Sequence, residues 1–102
     1  MLEYIKAATL TDLPQGKCKA VEVHGVRIVL VNTINGIFAL EDSCSHLGAP
    51  LSQGFVSKDS ITCEWHGASF DLKTGEAQCA PAKDPVTTYE VRVVGDDIEV
   101  LI

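Results

Sequence analysis

The sequence predicts an all-β protein, a small antiparallel sandwich or barrel that carries a loop-rich insertion. Three observations lead there. Runs rich in β-branched residues recur along the chain, separated by X-Gly turn signals. Only one short stretch has a helical pattern. Between about residues 42 and 85 the strands shorten and Gly, Pro, Ser and Cys become frequent.

Taken in order, Thr9–Leu13 reads as a helical turn, which Pro14 and Gly16 stop after about one turn. Lys17–Val23 and Val26–Asn32 read as strands joined by His24-Gly25, a tight hairpin turn in which Gly accepts positive φ. Val26-Arg-Ile-Val-Leu-Val is nearly continuous in apolar character, as expected of a strand covered on both faces. Asn35-Gly36 repeats the turn signal before Ile37–Glu41, and Ser60–Thr62 reads as a further short strand. Near the end, Tyr89, Val91 and Val93 alternate with Glu90 and Arg92, and Gly95-Asp96-Asp97 turns the chain into Ile98–Ile102. The insertion over about 42–85 is the expected seat of function, because a rigid β base can hold loops in place.

The totals set bounds. A length of 102 residues predicts one domain, spanning 1–102. Apolar residues at 46% and charged residues at 22% suit a globular chain and not a disordered one. The formal charge of −6 argues against nucleic acid, whose phosphates need a basic face. No stretch approaches the ~20 apolar residues that span a bilayer, so no membrane association is expected. The opening Met-Leu-Glu-Tyr-Ile-Lys has an early acid and no apolar core, so no signal peptide is expected and the cytoplasm is the predicted location. In that reducing compartment the four cysteines, 18, 44, 63 and 79, are expected to bind metal or to sit buried.

Chemistry concentrates in two short motifs, Cys44-Ser45-His46 and Cys63-Glu64-Trp65-His66, with sixteen residues between His46 and Cys63. Each brings a thiol and an imidazole to the tip of a loop that follows a strand. Gly48 and Gly67 follow the two histidines, where tight turns would bring backbone N–H groups close to sulfur. Two free cysteines with two incidental surface histidines would be the bland explanation, but the matching order speaks against it. A structural Cys₂His₂ zinc site has suitable ligand types. However, Cys-x-His is tighter than the usual Cys-x₂₋₄-Cys knuckle, and zinc fingers pair like ligands. The alternation suits a binuclear cluster, with both Cys on one iron and both His on the other.

Cys-x-His…Cys-x-x-His at this separation resembles the Rieske [2Fe–2S] signature. Cys44-Ser-His-Leu-Gly-Ala-Pro-Leu-Ser-Gln-Gly54 is similar to the family's first cluster loop, and Cys63-Glu-Trp-His-Gly-Ala-Ser-Phe-Asp71, with Thr74-Gly75, to the second. Pro81-Ala82, Pro85-Val86, Tyr89 and Gly95-Asp96 resemble the proline loop and closing strands, and Asp12-Leu13-Pro14-x-Gly16 the opening. The nearest likeness is to the soluble ferredoxins of bacterial aromatic ring-hydroxylating dioxygenase systems. That resemblance implies a Rieske-like fold with its cluster-binding subdomain over about 42–85. It implies one [2Fe–2S] cluster per chain, held by Cys44, His46, Cys63 and His66. It also implies a monomeric one-electron carrier, without catalysis of its own, between a flavoprotein ferredoxin reductase and a terminal Rieske oxygenase of aromatic hydrocarbon catabolism. The alternative it offers is the small subunit of an assimilatory nitrite reductase, which shares the fold.

The same resemblance bears on the reduction potential. Two imidazoles in place of two thiolates remove negative charge and raise it above that of plant-type ferredoxins. High-potential relatives add a disulfide between the loops, at positions that are Ala49 and Trp65 here. They also aim a Ser and a Tyr hydroxyl at the cluster, where this chain has Ala68 and Phe70. The implied potential is therefore low in the Rieske range, about −150 mV. Glu64, where many relatives have Pro, adds negative charge in the same direction. Elsewhere, His24 reads as a surface turn residue, and Cys18, on the same strand side as Ala20, as a small buried residue. Cys79 is left with three readings: a free thiol near the cluster, a disulfide with Cys18, or a ligand that the four others make unnecessary. Trp65 suits partner docking or packing over the loops. Asp96 and Asp97 read as a turn, not an acid–base pair.

Overall fold

The computed structural model describes residues 2–43, 50–64, 67–78 and 84–102. In chain order its strands are β1 (Tyr4–Thr9), β2 (Cys18–Val23), β3 (Val26–Thr33), β4 (Gly36–Glu41), β5 (Phe55–Val56), β6 (Ser60–Thr62), β7 (Ser69–Asp71), β8 (Thr88–Tyr89), β9 (Val91–Val94) and β10 (Asp97–Leu101). They form three antiparallel sheets in the orders β1-β10-β9, β2-β3-β4-β8 and β5-β6-β7. Two 3-10 turns, Leu10–Asp12 and Leu51–Gln53, are the described helical segments. None is long and apolar enough to cross a membrane. The expected all-β sandwich with a loop-rich insertion is what the chain forms.

Local chemistry explains the turns. His24 and Gly25 have φ of 51° and 78°, the pair of positive values that a two-residue type I′ link requires, and Val23 pairs with Val26 across it. His24 is exposed there, as its turn reading anticipated. The next hairpin departs from expectation by one residue. Ile34 and Asn35 form the turn, and Gly36 already pairs with Thr33 as the first residue of β4. Neither turn residue has positive φ. Gly36, at φ 124°, supplies the adjustment that lets an unprimed turn join twisted strands.

β3 shows why its sequence is apolar throughout. Ile28 and Leu30 face a core with Ala8, Leu13, Val23, Ala39, Ile98 and Val100. Val29 and Val31 face a second core with Leu40, Leu51, Ile61, Cys63, Phe70 and Leu72. All four β3 side chains are fully buried. Each contributes roughly 1.5–3 kcal/mol relative to exposure. The strand is thus a wall between the β base and the third sheet, which lies within the insertion. Hydrogen bonds from the Asn35 amide to Lys58 O (3.3 Å) and Asp59 Oδ1 (3.1 Å) tie the β3–β4 turn to the β5–β6 turn.

Two further differences have simple causes. The alternating run from Tyr89 to Val93 is not one strand: Thr88–Tyr89 pairs with β4, whereas Val91–Val94 pairs with β10. The chain changes sheets at Glu90, whose carbonyl still accepts from Leu101 N at 2.9 Å. Cys18 is half-buried and Ala20 exposed, although they share a side of β2. β2 is an edge strand, and the 51–53 turn covers it only at the Cys18 end.

Candidate metal centre

The hairpin β6–β7 builds one half of the site. Ser60, Ile61 and Thr62 pair with Asp71, Phe70 and Ser69, and the Thr62 and Ser69 hydroxyls meet at 2.8 Å. Cys63 N then donates to Ala68 O at 2.6 Å, adding one more rung before the tip. Gly67 completes that tip at φ 70°, the left-handed conformation expected of a tight turn after His66. The Cys63 residue is 1% exposed and belongs to the second core, with Ala68 and Phe70 also fully buried, while its neighbour Glu64 is exposed. The thiol-bearing position thus lies on the protein side of the hairpin tip.

The roots of the other loops converge on this hairpin. β4 ends at Glu41, and Asp42 N donates to Arg27 O on β3 at 3.0 Å. Asp42 is 2% exposed, and its carboxylate is bonded by Ser52, ten residues on: Ser52 N donates to Oδ1 at 2.7 Å and Ser52 Oγ to Oδ2 at 2.8 Å. Two residues on, Gly54 lies so close to β6 that a Cβ there would stand 2.0 Å from Thr62 O. The segment after Pro81 is held in the same way. Val86 N donates to Gly75 O at 2.8 Å, and a Cβ on Gly75 would stand 2.1 Å from Val86 O. Thr87 exchanges hydrogen bonds with Glu41, accepting from its N–H at 2.7 Å and donating to its Oε1 at 3.3 Å.

Electrostatics support this frame. Burial, with Asp42 nearby, raises the Cys18 thiol above its ordinary pKa, so it stays protonated and donates to Ser52 O at 3.3 Å. Cys18 is a free thiol with a structural bond, and its protonation makes it a poor nucleophile. The Asp71 carboxylate is held below its usual range, chiefly by the Thr74 N–H and further by that of Lys73. That bond shapes the turn leading to Gly75.

Of the four sequence-predicted ligands, Cys63 falls among the described residues, buried at the tip of the β6–β7 hairpin. Cys44, His46 and His66 lie outside the described residues, as do Gly48, Ala49, Trp65, Cys79, Pro81 and Ala82. Among the described residues, no group of three His, Cys, Asp or Glu side chains is placed to hold a metal ion. The donor set that the sequence supplies, two thiols and two imidazoles, suits a two-iron cluster, and so does a cysteine set in apolar surroundings beside an exposed neighbour. Sequence reasoning passed over Asp42, Ser52, Glu41 and Thr87. The available signal was a carboxylate two residues before the first motif's cysteine and a serine six residues after its histidine.

The Rieske [2Fe-2S] domain family matches residues 3–90. The 3-phenylpropionate/cinnamic acid dioxygenase ferredoxin subunit of Shigella boydii serotype 4 (strain Sb227) is 43% identical over 95 residues, covering 92% of this chain and 89% of that protein. Among solved structures, the ferredoxin of carbazole 1,9a-dioxygenase from Nocardioides aromaticivorans IC177 superposes with a TM-score of 0.90 at 32% identity, covering 95% of each chain. A chain in the complex of reduced oxygenase and oxidized ferredoxin in carbazole 1,9a-dioxygenase gives a TM-score of 0.88 at 28% identity, over 95% of this chain and 91% of that one.

Proposed function

Since the chain belongs to the Rieske [2Fe–2S] family and is a one-electron carrier with one such cluster, we propose that Cys44 and Cys63 hold one iron and His46 and His66 the other. The observation that carries this reading is the placement of Cys63, buried at the tip of the β6–β7 hairpin, with the roots of the first motif fastened beside it. The cysteine half of the cluster then lies inward. The histidine half faces the surface, where a shallow contact with another protein suffices for electron transfer.

The cluster, when bound, supplies the reversible one-electron couple, and the chain's own residues set its surroundings. Ala68 and Phe70, fully buried in the same core as Cys63, carry no side-chain hydroxyl, so they bring no donor to stabilise the added negative charge. The proposed potential is accordingly low in the Rieske range, about −150 mV. The electron donor in this reading is a flavoprotein ferredoxin reductase and the acceptor a terminal Rieske oxygenase of the aromatic ring-hydroxylating type. The carrier acts as a monomer in the cytoplasm, over a single domain 1–102 whose cluster-binding subdomain covers about 42–85. The dioxygenase names borne by the relatives support the acceptor.

Electron paramagnetic resonance of the dithionite-reduced protein tests the ligand set. A rhombic signal of low average g is expected from two-histidine, two-cysteine ligation, and Cys63→Ser should abolish it. A colourless protein with one zinc per chain, or the signal of a four-cysteine cluster, would refute the assignment.

A further inference from the structure

Asp42 is not among the proposed ligands, yet it is one of the two buried polar side chains among the described residues, with Thr33. Burying a carboxylate is costly unless hydrogen bonds to it replace water. Neither ion pair of the described residues includes it. Among the described residues, the hydrogen bonds to its carboxylate both come from Ser52, at 2.7 and 2.8 Å, the short distances of charge-assisted bonds.

The placement of that pair is specific. Asp42 is fixed to β3 through its own N–H, and Ser52 is fixed to β2 through the Cys18 thiol on its carbonyl. Each end of the pair is thus tied to the second sheet, and the pair links two residues that lie ten apart in the sequence. Cys44 and His46 fall two and four residues after Asp42 in the sequence, between it and Ser52.

We propose that Asp42 is a positioning residue for the first ligand loop: its carboxylate, bound to the Ser52 N–H and hydroxyl, fixes where Cys44 and His46 meet the second hairpin. The inference rests on the ligand assignment above. It assigns Asp42 no contact with the cluster and no part in proton transfer.

Three variants of the full-length holoprotein test it, read by iron content, the reduced EPR spectrum, the potential and the half-time of bleaching by an iron chelator. Asp42→Asn keeps an acceptor for Ser52 N and a group that the Ser52 hydroxyl can bond. It should hold its cluster with wild-type g values, at a potential shifted upward by the loss of one negative charge. Ser52→Ala loses one of the two bonds and should bleach measurably faster. Asp42→Ala loses both and should bleach about tenfold faster or more, the factor that corresponds to about 1.4 kcal/mol. Its g values should spread or shift, a change that a general loss of stability would not produce. If Asp42→Ala fails to fold, Asp42→Asn and Ser52→Ala decide. Wild-type spectra and half-times in Asp42→Ala would overturn the proposal, as would a folded Asp42→Asn that loses its cluster. So would a Ser52→Ala protein identical to wild type where Asp42→Ala cannot be obtained. A wild-type protein without the rhombic signal overturns the ligand assignment and this inference together. A normal wild-type signal that Asp42→Ala leaves unchanged overturns the inference alone.

Discussion

Replacing Gly54 with Ala should damage the protein for a reason that is purely steric. Gly54 has φ −90° and ψ −159°, an extended conformation open to any residue. On backbone entropy alone, alanine would then stabilise the fold by about 0.4–1 kcal/mol through the unfolded chain. Space reverses that sign. The new Cβ would stand 2.0 Å from Thr62 O, 3.0 Å from Thr62 C and 3.2 Å from Leu51 O, all backbone atoms. Ordinary contact needs about 3.4 Å or more, so β6 and the first loop's return must part by roughly 1.4 Å. Overpacking of this kind costs about 1–3 kcal/mol. A net loss of about 2 kcal/mol lowers the thermal midpoint of a domain this size by roughly 8–16 °C. Because Thr62 immediately precedes Cys63, the cluster's visible absorption and EPR should change as well. Gly95→Ala is the control: Gly95 sits at φ 60° with nothing within 4 Å of a Cβ, so it should lose about 1 kcal/mol and leave the cluster spectrum intact. Melting followed by far-UV circular dichroism, beside the visible spectrum, separates the two. A Gly54→Ala protein that melts at or above the wild-type temperature with an unchanged spectrum would sink the close-approach explanation.

Phe70→Tyr should raise the potential if the new hydroxyl reaches a cluster sulfur. A bond stronger by about 1.4 kcal/mol in the reduced state corresponds to about 59 mV for a one-electron couple. Potentiometry showing no rise, with stability reduced by about 1–3 kcal/mol, would mean that the hydroxyl is buried without a partner. The two tyrosines should ionise late: burial raises both phenols, and nearby carboxylates, Glu41 at Tyr89 and Glu90 at Tyr4, raise them further. A phenol whose folded pKa is raised contributes stability below its unfolded pKa of about 10 and loses it as pH rises through the folded value. The difference titration between wild type and Tyr89→Phe at 295 nm should therefore show Tyr89 ionising above pH 10.0. A midpoint at or below that value would count against its buried setting.

What the sequence made legible was what short-range chemistry dictates. His24-Gly25 gave its turn because two adjacent residues needed positive φ. Ser60–Thr62 matched its strand, and the unbroken apolar run in β3 matched burial on two faces. Long-range pairing was less visible. Asn35-Gly36 looked like the turn itself, whereas Gly36 serves just after it. Alternation passes unbroken through Glu90 because the side-chain period persists while the hydrogen-bonding partner changes from β4 to β10. β1 went unread because Tyr-Ile-Lys-Ala-Ala-Thr alternates poorly, with a register shift between Lys6 and Ala8. In the site, the motif supplied the proposed ligands. The clasp between Asp42 and Ser52 spans ten residues, and the sequence marks its two members by position without showing that they meet.

The two-faced burial of β3 also binds the cofactor's fate to residues far from it. An Ile28 or Leu30 truncation empties the base core, yet the strand that shifts in response carries Val29 and Val31 on its reverse, against the core that houses Cys63. Damage at the remote end is thereby handed on to the end that carries Cys63. Bleaching kinetics should accordingly register lesions anywhere along this strand, and the colour of the protein becomes a gauge of the whole molecule's integrity.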